Sequence, residues 1–123
     1  MKLETLKTIE SALNALIVAE ETKIREARVQ LEVALRDALN KPEIGRGKKL
    51  PTRPYDEDRL DIGRALDNIE ETRVRTESDA VKAECERLFE LFREYRRKEQ
   101  EADSHTSELR AAANAIKNIS WRE

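Results

Sequence analysis

Turn-forming residues are scarce in this chain: three glycines and three prolines among 123 residues. So few backbone breakers mean few turns, and the elements between them must be long. Only one cysteine is present, Cys85, which excludes an internal disulfide framework and a CxxC redox pair. Only one histidine is present, His105, and no other candidate ligand clusters with it in the sequence. A catalytic triad, a proton relay or a histidine-based metal site therefore has no support. No apolar run approaches the length needed to span a bilayer. The opening Met1-Lys2-Leu3-Glu4 lacks the apolar core of a signal peptide. The expectation is a cytoplasmic protein with no membrane partner.

What is abundant is charge. Charged residues make up 41% of the chain and hydrophobic ones 38%, while aromatics supply only 4%. The charges are mostly Glu, Lys and Arg, which are good helix formers. This composition marks long helices or coiled coil. Disorder is the rival for so charged a chain, but the apolar residues here are periodic. The net charge of −2 is unevenly spread. Residues 1–40 hold six basic and seven acidic side chains, residues 41–55 five and one, and residues 56–123 thirteen and eighteen. A short positive segment thus joins two mildly acidic arms.

Helix one is predicted over about 2–40, a stretch without Gly or Pro. Its seam reads Leu3, Leu6, Glu10, Leu13, Ile17, Glu20, Ile24, Ala27, Leu31, Ala34, Ala38, alternating steps of three and four. Ile9, Leu16 and Leu35 flank it. Glu10 and Glu20 either fix the register or, more simply, face outward where the seam drifts. Glu21 with Arg25, and Glu32 with Arg36, are spaced as favourable pairs on the outer surface. Asn40-Lys41-Pro42 stops the helix. Residues 41–55 then carry Gly45, Gly47 and all three prolines, and read as the one substantial loop.

Helix two is predicted from about Asp56, with Asp56 as N-cap and Glu57 and Asp58 in the first turn. Residues 70–79 contain a single strong hydrophobe, Val74, and are expected to stay helical with little core. Val81, Cys85, Leu88, Phe92 and Tyr95 form a second apolar stripe. Residues 103–107 favour caps over helix interiors, so either a break there starts a C-terminal helix over about 107–119, or one helix runs through. The fold expected is all-α: an elongated, coiled-coil-like antiparallel helical hairpin forming one domain over 1–123. So narrow a seam predicts assembly into a bundle, as a homodimer or higher homo-oligomer.

The candidate chemistry is sparse. Cys85, within the stripe, reads as a small buried hydrophobe. Glu86 and Glu90 share a helix face, but nearly every Glu has a basic neighbour, as on a solvated surface. No Glu-x-x-His, phosphate-binding loop, GxGxxG or zinc spacing is present. No catalytic residue, cofactor or metal site is therefore assigned, and the chain is expected not to be an enzyme.

Two segments stand out as contact surfaces. Phe89, Arg93, Arg96 and Arg97 gather the residue types that dominate protein interfaces on one helix. Arg46, Lys48, Lys49, Arg53 and Tyr55 make the 41–55 loop basic, with an aromatic that could stack on a base. That loop is open to three readings: a plain linker, a docking strip for a protein, or an anion site. The function expected is a protein-interaction protein, an adaptor, assembly factor or small inhibitor acting through helical surfaces. The alternative is a nucleic-acid or nucleotide-binding module using the basic loop.

Overall fold

The structure, a computed structural model, describes residues 2–122, and the side chains of residues 2–119. The fold is all-α in class. It opens with α1 (Leu3–Leu39) and a four-residue helix α2 (Pro42–Gly45). A two-stranded hairpin follows, β1 (Thr52–Arg53) and β2 (Asp56–Leu60). Helices α3 (Ile62–Arg75) and α4 (Asp79–Arg122) complete it. The chain divides into two compact units. A terminal unit contains Met1–Glu26 and Arg96–Glu123, and a central unit contains Ala27–Tyr95.

In the terminal unit, α1 contributes buried Leu6 and Ile17, and α4 contributes buried Ala102, Thr106 and Ala113. Leu109 and Ile116 are half-buried on the same α4 face. Arg110 pairs with Glu21, and His105 Nδ1 lies 3.6 Å from a Glu20 oxygen. Glu20 is therefore half-buried and turned toward α4, not outward. Glu21 has its partner on α4 rather than at Arg25. No break occurs at 103–107. The Thr106 hydroxyl donates to the Asp103 carbonyl at 3.1 Å, so the residue that could have capped a new helix is satisfied inside the old one.

The central unit is built differently. Leu35, Leu60, Ile69, Cys85 and Leu88 are fully buried and come from α1, β2, α3 and α4. Burying each large aliphatic side chain contributes about 1.5–3 kcal/mol. Residues 41–55 are folded rather than a plain linker. Pro42 starts α2, where its missing N–H costs nothing. Ile44 is buried in the core. Gly45 packs so closely that a Cβ there would sit 1.6 Å from the Leu39 carbonyl oxygen. Arg46 (φ 53°) and Gly47 (φ 71°) then turn the chain in the left-handed region.

Asp56 does not start a helix. It pairs with Arg53 across the Pro54-Tyr55 turn, and Thr52 pairs with Leu60, with an irregularity in register between the two pairs. The N-cap is Asp61, whose carboxylate accepts from the Arg64 N–H at 3.1 Å. The acidic β2 sequence is held extended by tertiary contacts. The Arg36 guanidinium donates to the Asp58 carbonyl at 2.6 Å, and Arg59 reaches Glu32.

Residues 76–78 interrupt the helix expected over 70–79. Thr76 leaves the α region at ψ 143°. The Ser78 N–H donates to the Thr76 hydroxyl at 3.2 Å, and the Ser78 hydroxyl accepts from the Val81 N–H at 3.3 Å. Two hydroxyl side chains thus end one helix and cap the next. Within the second stripe, Cys85, Leu88 and Tyr95 are buried, while Val81 and Phe92 remain half-buried.

Candidate functional site

A groove of about 700 Å³ lies between α3 and α4 in the central unit. Glu70 and Arg73 from α3 line it, with Ala83, Glu86, Arg87, Phe89, Glu90 and Arg93 from α4. The Thr76–Ser78 interruption makes it possible, because it folds α3 back beside the start of α4. Phe89 is half-buried and, with Ala83, provides the apolar part of the lining. The other lining residues are charged: three guanidinium groups and three carboxylates.

Each of the three arginines is fixed by a glutamate on its own helix, Arg87 by Glu84 from outside the lining. Arg73 grips Glu70 with two hydrogen bonds, of 2.8 and 2.6 Å. Arg87 grips Glu84 in the same way, at 3.0 and 2.6 Å. Arg93 is hydrogen-bonded to Glu90. All three pairs are spaced i,i+3 along their own helix. The Arg73 hydrogen bond holds the Glu70 carboxyl below its ordinary range, and the Arg87 hydrogen bond does the same for Glu84. Each arginine is pushed further above its own range by its partner. Cys85 is fully buried. Burial, with the negative charge of Glu84 adding to it, pushes the thiol up, away from the thiolate a nucleophile needs.

The expected contact residues are only partly brought together. Phe89 and Arg93 share the groove. Arg96 and Arg97 belong to the terminal unit, where Arg96 Nη1 bonds Glu99 at 2.9 Å. The loop residues also separate. Arg46 lies 3.6 Å from Glu71. Lys49 lines a smaller cleft of about 470 Å³ with Leu50, Pro51, Thr52, Arg64, Asp67 and Asn68. Lys48 is exposed, and Arg53 is half-buried on β1. Tyr55, at the hairpin tip, is 102% exposed. The acidic run Asp56-Glu57-Asp58 follows it directly.

One cluster escaped the sequence reading. Glu32 is only 6% exposed. It accepts from Arg59 Nη2 at 3.1 Å and Nε at 3.3 Å, and lies 3.7 Å from Arg28 Nε. Glu32 therefore faces inward, and Arg36 is engaged with the Asp58 carbonyl rather than with Glu32. The Glu32 hydrogen bond pushes Arg59 further above its range. The spacing Arg28, Glu32, Arg36 places all three on one face of α1. Only the hairpin's position shows that this face is inward. The cluster is a clamp between α1 and β2.

Among the described residues, no helix is long and apolar enough to cross a membrane. They also contain no group of three or more His, Cys, Asp or Glu side chains that could hold a metal ion. No protein-family model matches the chain, and neither the curated proteins nor the solved structures searched gave a match.

Proposed function

We propose that the chain is a non-enzymatic protein-interaction protein, an adaptor, assembly factor or small inhibitor that self-associates and engages another protein through its helical surfaces. The α3–α4 groove carries this reading. It combines a half-buried phenylalanine with arginines held ready by glutamates on the same helix. Aromatic and arginine side chains are the usual anchors of interfaces, and a pre-ordered arginine loses less freedom on binding. Equal numbers of cations and anions favour a mixed-charge protein surface over a polyanion.

The nucleic-acid alternative draws on fully exposed Tyr55 and on Lys49 and Arg64 beside one cleft. Asp67 in that cleft and Asp56-Glu57-Asp58 beside Tyr55 oppose it electrostatically. The test is a quantitative pull-down from the native host with the wild type and a Phe89→Ala/Arg93→Ala variant. One stoichiometric protein lost in the variant supports the groove. Equal capture by both moves the contact elsewhere. Recovery of nucleic acid whose binding falls steeply with salt favours the alternative.

A further inference from the structure

The terminal unit buries one face of α1 and leaves a second, regular seam uncovered. Thr5, Ile9, Ala12, Leu16 and Ala19 follow one another at alternating steps of four and three, and all are exposed. Leu16 is 51% exposed and Ile9 37%. The spacing extends without a slip to Lys2 at one end and to Lys23 and Glu26 at the other, all exposed. This is a heptad stripe beside the buried one, with large residues at one core position (Ile9, Leu16) and small ones at the other (Thr5, Ala12, Ala19).

That alternation selects its own occupant. When two copies of α1 pack antiparallel about a two-fold axis, each core position of one faces the other core position of its mate. Ile9 then meets Ala19 of the partner subunit, and Ala12 meets Leu16 of the partner subunit. Every large side chain faces a small one, so the helices approach closely without overpacking. The same register sets Lys2 against Glu26 of the partner subunit, at both ends. A parallel pairing in register would instead stack Ile9 on Ile9, Leu16 on Leu16, Lys2 on Lys2 and Glu26 on Glu26. The size mismatch and the like charges both count against it.

We infer that the Thr5–Ala19 seam of α1 is the docking surface for a second copy of this chain, joined antiparallel in the register that sets Ile9 against Ala19 and Lys2 against Glu26. The inference gives a surface and a direction to the self-association in the functional reading above. It uses no residue of the α3–α4 groove, so either can fail without the other.

Sedimentation equilibrium on the full chain tests it. The wild type is expected to dimerise below about 100 µM, and Leu16→Glu to raise the dissociation constant at least about tenfold. Helical circular dichroism should be unchanged, because Leu16 is already exposed in the single chain. Lys2→Glu and Glu26→Lys should each weaken the dimer several-fold, and the two together should restore it. Only the antiparallel register gives that rescue. The Phe89→Ala/Arg93→Ala variant should dimerise as the wild type does. A wild-type monomer at that concentration overturns the inference and leaves the seam to a different occupant. A Leu16→Glu variant that dimerises normally overturns it by placing the contact elsewhere, and failure of the charge swap to rescue overturns the register.

Discussion

All six elements contribute to the central unit, where Leu35, Leu60, Ile69 and Leu88 are enclosed from several sides. The terminal unit has only α1 and α4 to work with. Its buried residues lie along one seam, and Leu16 and Val18 stay half or more exposed. A pair of helices can cover one stripe of each other and no more. A third direction of chain, here supplied by α2, the hairpin and α3, is needed to enclose a side chain fully. The polar ties differ in the same way. In the central unit a buried side-chain-to-backbone bond joins two elements, from Thr72 Oγ1 to the Ile44 carbonyl at 2.9 Å, and the Glu32–Arg59 clamp adds a part-buried ion pair. In the terminal unit α1 and α4 are linked by the Arg110–Glu21 ion pair and the His105–Glu20 contact, both between partly exposed side chains, and an exposed ion pair typically contributes under about 1 kcal/mol.

The strongest way to break this contrast is at Gly45. A Cβ there would overlap the Leu39 carbonyl oxygen, so Gly45→Ala must displace backbone. A loss of about 3–5 kcal/mol, or failure of the central unit to fold, is expected in urea denaturation followed by circular dichroism. Next come matched truncations. Leu35 and Leu6 are both buried, but two helices can close on a cavity more readily than an enclosed core can. Leu35→Ala should cost about 3–5 kcal/mol and Leu6→Ala about 2, each from the same urea titration. Equal losses would erase the distinction between the units.

A smaller effect is expected at Thr72. Replacing it with Val leaves the Ile44 carbonyl without its hydroxyl donor, at a cost of about 1–2 kcal/mol in the same titration.

The smallest effect concerns the Arg73–Glu70 and Arg87–Glu84 pairs. Glu70 and Glu84 have folded-state pKa values below the ordinary 4.5. The stability they add is therefore present above the unfolded value. It is lost as pH falls through the lowered folded values. Melting temperatures of the wild type and an Arg73→Gln/Arg87→Gln variant should differ slightly at neutral pH and converge in acid. A gap that persists in acid would show that the arginines act through packing instead.

Helix α1 was legible because its apolar residues repeat every three or four positions with no Gly or Pro between them. The regions misread or left open are those where local chemistry had two good answers. Asp56-Glu57-Asp58 satisfies the rules for a helix start as well as Asp61 does, and only Arg36 reaching into β2 and Arg59 reaching out of it to Glu32 decide between them. Residues 103–107 and 76–78 are both rich in capping residues. The first continues because Thr106 bonds its own helix. The second breaks because Thr76 and Ser78 bond across the gap. Of the expected contact residues, the helix period put Phe89 and Arg93 near one another. It could not show that Glu70 and Arg73, distant in sequence, complete their groove.

By itself the sequence determined the all-α class, the extent of α1, the stop at Pro42 and the existence of a second apolar stripe around Cys85 and Leu88. Each follows from backbone rules and a 3.6-residue period, which act over a few residues and need no partner. Only the tertiary structure decided that residues 41–60 fold into α2 and a hairpin, that Glu32 faces inward, and that Ile9 and Leu16 are left outside. Those outcomes depend on which elements cover which face, and a sequence pattern marks a face as apolar without naming what comes to cover it.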